Sequence, residues 1–171
     1  MLKKGTVVWI TGLSGAGKTT AGKLLTAQLR EKNWPVVFLD GDKLRQIFKS
    51  TNYSVEERYQ LSLKYGKLCQ AISDQGIHVI IATISMFHKT HAWNRKHIKN
   101  YVEVYLKVPL EILTKRDSKF IYSPARENKQ NNAVGLDLNL EEPLNPELII
   151  NNYGESNPEI TVKKILTLIM D

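Results

Sequence analysis

The sequence predicts an α/β chain, a three-layer sandwich around a mainly parallel sheet of five strands. Three observations carry that reading. Five short Val/Ile-rich runs are largely unalternating, as strands buried on both faces are. Longer helical patterns separate them, the rhythm of crossover units around a parallel sheet. A glycine-rich segment also joins the first run to the first helical pattern.

The strands are expected at 6–10, 36–39, 78–83, 102–108 and 148–150, and the helices at 18–31, 55–74, 89–98, 110–115 and 158–170. With 171 residues and 42% hydrophobic composition, one core is the expectation, a single domain over 1–171. About thirty polar residues from 117 to 146 lack an apolar period, so that stretch is read as a lid over a substrate. Cys69, the one cysteine, cannot close an internal disulfide, and it falls in the apolar pattern of Leu61, Tyr65, Leu68 and Ile72 as a packing residue. Nothing approaches the roughly 20 apolar residues of a membrane span, and a cytoplasmic protein without membrane attachment is expected. The net charge of +7 points to anionic partners. Because the basic residues around His88, Lys89, Arg95, Lys96, His97 and Lys99 form no broad stripe, nucleic acid is not the expected one.

Gly12-Leu13-Ser14-Gly15-Ala16-Gly17-Lys18-Thr19 matches the phosphate-loop pattern G-x-x-x-x-G-K-[ST], here between strand and helix as that pattern requires. Glycines let main-chain N–H groups wrap a phosphate, and the helix that follows adds its positive end. The cradle candidates are Gly12, Ser14, Gly15, Ala16, Gly17, Lys18, Thr19 and Thr20, with Lys18 on the β and γ oxygens and Thr19 a ligand of Mg²⁺. The fold expected is therefore the P-loop nucleoside-triphosphate hydrolase/kinase fold, with ATP and Mg²⁺ as its cofactors. After the second strand comes Leu39-Asp40-Gly41-Asp42-Lys43-Leu44-Arg45. Two carboxylates at the end of a strand placed beside the phosphate-loop strand suit metal binding by Asp40 and alignment of an attacking hydroxyl by Asp42. The competing reading is an Asp-Gly turn with a helix cap at Asp42. No N-K-x-D segment reads guanine, and the 78–83 strand ends without an acidic residue, which leaves a kinase rather than a GTPase or motor.

Taken together with later segments, these residues resemble the adenylylsulfate (APS) kinases. The segments are Glu57-Arg58, Val108-Pro109-Leu110-Glu111, Arg116-Asp117-Ser118-Lys119, Tyr122, Ala125-Arg126, Gly135-Leu136-Asp137 and 142–147. Members phosphorylate the ribose 3′-hydroxyl of adenosine 5′-phosphosulfate. The resemblance implies Asp42 as base or aligner, Asp40 at the metal, and Arg45 and Arg58 on the acceptor's anionic tail. It further implies Lys119 and Arg126 as lid cations, Arg116 in the frame of the ATP base, and Tyr53 as one wall for the acceptor base. A homodimer is implied as well.

Departures from the family fall on the acceptor side. Ile84-Ser85-Met86-Phe87-His88 stands where the family has Ile-Ser-Pro-Tyr-Arg, which makes Ile84, Ser85 and His88 acceptor candidates with an arginine lost. Ala133-Val134-Gly135 replaces a Phe-Thr-Gly that stacks on adenine, and Leu61 replaces an asparagine. A lost stacking partner is worth on the order of 1–3 kcal/mol, enough to weaken adenosine binding by tenfold or more. The acceptor that the resemblance implies is a small anionic nucleotide, either adenosine 5′-phosphosulfate or cytidine diphosphoramidate, the substrate of a family branch in capsule decoration. From a different class, a catalytically inactive ATP-binding regulatory module is the alternative.

Overall fold

The structure, a computed structural model, describes residues 4–50, 54–116 and 141–170. In chain order its elements are β1 (Val7–Thr11), α1 (Lys18–Glu31), β2 (Val36–Asp40), α2 (Gly41–Ile47), α3 (Val55–Ser73), β3 (His78–Ala82), α4 (His88–His97), β4 (Tyr101–Lys107), α5 (Leu110–Lys115), β5 (Leu148–Asn151) and α6 (Pro158–Met170). All five strands are parallel, in the order β2-β3-β1-β4-β5.

Alternation of side chains along β1 splits the core in two. Val8 and Ile10 face a layer that includes Leu25 and Leu29 of α1, Leu113 of α5, and Val162 and Ile165 of α6. Val7 and Trp9 face Leu44 of α2, Leu61, Tyr65 and Cys69 of α3, and Ile98. Both faces of the sheet are therefore covered, which explains the unalternating strand sequences. Burial pushes the Cys69 thiol far above its ordinary value, so it packs and does not react. Trp34, before Pro35, packs its ring on His78 at 4.4 Å.

Two details differ from expectation. β3 lies between β1 and β2, so the Asp-Gly-Asp strand is not beside the phosphate-loop strand. A helix, α2, also begins at Gly41; its seven residues bury only Leu44, too few to write an apolar period. Among the described residues, no helix is long and apolar enough to cross a membrane.

Candidate active site

The carboxyl ends of β1, β2 and β3 open on one edge of the sheet, where open α/β folds hold their ligands. Beyond Thr11 the backbone turns through Gly12, Gly15 at φ 77° and Gly17 at φ 90°, conformations that side chains rarely adopt. A Cβ on Gly17 would stand 2.7 Å from Asn152 Nδ2. This position therefore excludes any side chain by space as well as by conformation. Gly17 caps α1, whose first turn carries no acidic residue, so its N-terminal field faces an anion undiminished. Lys18 Nζ folds over the loop and donates to Leu13 O at 2.7 Å, which keeps the ammonium within the cradle.

Asp40 does two things at the end of β2. Its Oδ1 accepts from the main-chain N–H of Asp42 at 2.9 Å and of Lys43 at 3.4 Å, capping α2, while Oδ2 accepts from Thr19 Oγ1 at 2.9 Å. The cap expected at Asp42 is thus made by Asp40, and the two oxygens assigned to the metal meet even though a strand separates β1 from β2. An alcohol and a carboxylate beside a phosphate cradle are hard oxygen donors of the kind that Mg²⁺ takes, so the residues fit that ion. A Cβ at Gly41 would stand 3.0 Å from Ala82 O and Thr83 Oγ1, a tight fit that glycine avoids. Asp42 stands in the first turn of α2, two residues beyond Asp40.

Tyr65 supports that corner from below, donating its hydroxyl to Gly41 O at 3.2 Å. Burial pushes its phenol up to about 12; Arg45 opposes the shift, and Asp42 and Asp40 add to it. The phenol is therefore a steady donor, and the same effects place Arg45, Asp42 and Asp40 around one point. Arg58 lies seven residues before Tyr65 on α3, on the same side of that helix.

The next wall is the turn after β3. Thr11 Oγ1 donates to Ile84 O, and the hydroxyls of Thr83 and Ser85 pair at 2.8 Å. Ser85 has φ 24°, an uncommon conformation that costs on the order of 1–3 kcal/mol and persists only where neighbours impose it. Phe87 meets the Tyr59 ring edge-on at 5.8 Å. His88 contacts the chain returning toward β5: its Nε2 lies 2.8 Å from Glu142 O, and its main-chain N–H donates to Glu141 at 2.5 Å. Tyr53, Asp117, Lys119, Arg126 and most of the expected lid lie outside the described residues.

On the donor side, Arg116 and Asn152 line a cavity of about 210 Å³ together with Gly17, Thr20 and Pro158. Arg116 Nη1 donates to Asn152 O at 3.0 Å. Asn152 itself donates to Ala16 O at 2.8 Å and accepts from Ser156 and Thr161. Asn152 and Tyr65 escaped the sequence reading, since one hydrogen bond spans 136 residues and the other 24.

A sequence model of the adenylylsulphate kinases matches residues 4–151. The chain belongs to the adenylylsulphate kinase family. A cytidine diphosphoramidate kinase of Campylobacter jejuni is 39% identical over 160 residues, 94% of each chain. The adenylyl-sulfate kinase of Gloeothece citriformis is 35% identical over 167 residues, 97% of this chain and 94% of that one. Among solved structures, the Mycobacterium tuberculosis APS kinase in complex with AMPPNP and APS superposes with a TM-score of 0.90 at 27% identity, covering 98% of this chain and 99% of its own. The protein is accordingly a phosphotransferase, a nucleotide kinase of the adenylylsulphate kinase type with the P-loop kinase fold.

Proposed function

We propose that this kinase moves the γ-phosphate of ATP to the ribose 3′-hydroxyl of cytidine diphosphoramidate, in preference to adenosine 5′-phosphosulfate. The observation that carries the transfer is the Thr19–Asp40 pair at 2.9 Å, between a glycine cradle and Asp42. When bound, ATP and Mg²⁺ supply the phosphoryl group and neutralise charge on its oxygens. Main-chain N–H groups around Gly15 and Gly17, with Lys18, hold the donor phosphates and offset charge that grows in the transition state. Asp42 accepts the proton of the attacking hydroxyl and aligns it, while Arg45 and Arg58 hold the anionic tail. Arg116 and the cavity beside Asn152 receive the base of the donor. Lys119 and Arg126 close over the phosphates and exclude water.

Support for the cytidine acceptor comes from substitutions on the acceptor wall. Leu61, where the family has asparagine, is 3% exposed and packs with Tyr65 and Cys69 in the core, so the polar group that the family carries at this position is gone. Ala133 and Val134 stand where the family carries its stacking phenylalanine. A pyrimidine presents less surface for stacking than a purine and loses less from that change.

The test is ADP release from Mg·ATP with and without an acceptor nucleotide, followed by phosphorus–proton NMR of the product. Release that depends on acceptor, with the new phosphate coupled to the ribose 3′ proton, is expected. Equal release with and without acceptor would reject a kinase of this kind and leave a nucleotide-binding module.

A further inference from the structure

Helix α4 presents lysines and histidines to solvent, yet its inner face is polar too: Thr90, His91 and Asn94 are buried. His91 is the centre of an uninterrupted chain of contacts. Its Nε2 lies 2.9 Å from Ser85 O, and its Nδ1 lies 2.9 Å from Oε1 of Glu103, which is 1% exposed on β4. The other oxygen of Glu103 takes Arg95 at 2.9 Å. Arg95 continues to Glu147 and, at 2.6 Å, to Asn145 O, while the Glu103 main-chain N–H donates to Glu147 at 2.7 Å.

The chemistry fixes the direction of the contacts. A carbonyl oxygen only accepts, so Nε2 donates to Ser85 O, while Nδ1 and Glu103 Oε1 approach to 2.9 Å without hydrogen-bond geometry. Arg95 pairs with both Glu103 and Glu147, and a carboxylate as deeply buried as Glu103 persists because it is paired. The far end of the chain is Ser85, the residue at φ 24° on the turn read above as the acceptor wall.

We infer that His91 is a positioning residue for the acceptor: it holds the Ser85 carbonyl, and with it the Ile84–Ser85 turn, against Glu103 of β4. The inference rests on the reading of that turn as acceptor-binding. The phosphate cradle is held from its other side, by Asn152 on Ala16 O, and meets this turn through Thr11 Oγ1 on Ile84 O.

Two substitutions separate the two ring nitrogens. His91→Gln places an amide donor where Nε2 was and keeps the hold on Ser85. His91→Asn places one where Nδ1 was and releases Ser85. Hydrogen exchange of the full chain, read by mass spectrometry on peptides covering 84–88 and 12–20, needs no substrate. H91N is expected to speed exchange at 84–88 about tenfold and to leave 12–20 unchanged, with H91Q within about twofold of wild type. The KM for whichever nucleotide the wild type phosphorylates is expected to rise about tenfold in H91N, with the KM for ATP constant. Arg95→Gln, at the half-exposed end, is a further variant expected to speed exchange at 84–88 about threefold. Unchanged exchange at 84–88 in the variants that fold, equal behaviour of H91N and H91Q, or a parallel rise of both KM values would overturn the inference. A wild type without acceptor-dependent ADP release would reject the proposed function instead, while the exchange data still decide whether His91 holds Ser85.

Discussion

The two halves of the site are made of different material. The phosphate cradle of the donor half is mostly main chain: glycines at φ 77° and 90°, a helix end and one lysine within nine residues of sequence, braced by the Asn152 side chain. The acceptor half as proposed is drawn from distant segments and mostly from side chains, with Asp42 and Arg45 from α2, Arg58 and Tyr65 from α3, and the Ser85 carbonyl from the turn after β3. A main-chain cradle binds any nucleoside triphosphate and tolerates little change, because Gly12 and Gly17 leave no room for a Cβ and Gly15 and Gly17 hold positive φ. A wall of side chains can be rebuilt one residue at a time without loss of the fold, and that is where this chain departs from its family. Specificity can therefore drift while phosphoryl transfer is kept.

Asp42→Asn separates the halves most sharply. It keeps shape and the α2 turn but removes the proton acceptor, so turnover should fall by about 10²-fold or more with ATP affinity within threefold. Steady-state ADP release with an ATP titration checks it, and undiminished turnover would exclude Asp42 as the aligning group. Asn152→Ala acts on the donor half alone. It removes the hydrogen bond to Ala16 O and the acceptor for Ser156 and Thr161, each of order 1 kcal/mol net, so the KM for ATP should rise about fivefold with the acceptor KM unchanged. A change in acceptor KM of the same size would show that the halves are coupled.

The smallest effect is on stability. Burial would raise the carboxyl of Glu147, but the Arg95 hydrogen bond and the Glu103 main-chain N–H outweigh it and hold Glu147 below its usual 4.5. A lowered folded-state value means stabilisation that is present above 4.5 and lost as the pH falls through the lower value. The pair is partly exposed, so Glu147→Gln should cost only about 2 °C in Tm at pH 7, with the gap closing below about pH 4. Thermal melts across pH 3–7 check it.

Much of the fold was legible because both sheet faces are buried: runs such as Val79-Ile80-Ile81 read directly as central strand. Strand order was not, since nothing local in Asp40 records that β3 intervenes between β2 and β1. Helix α2 escaped because one buried leucine writes no period. In the site, Gly12 to Thr19 announced themselves through backbone demands that only certain residues meet. The dual use of Asp40, by contrast, needed the fold, because its cap and its bond to Thr19 come from different directions. Nothing local in the sequence sets His91 apart, and only its contact with the buried Glu103 distinguishes it.

The most direct test of a kept donor half and a rebuilt acceptor half is the ratio of kcat/KM for cytidine diphosphoramidate to that for adenosine 5′-phosphosulfate at saturating Mg·ATP. The account predicts a ratio of about ten or more, with one KM for ATP shared by both reactions. A ratio below one would contradict it.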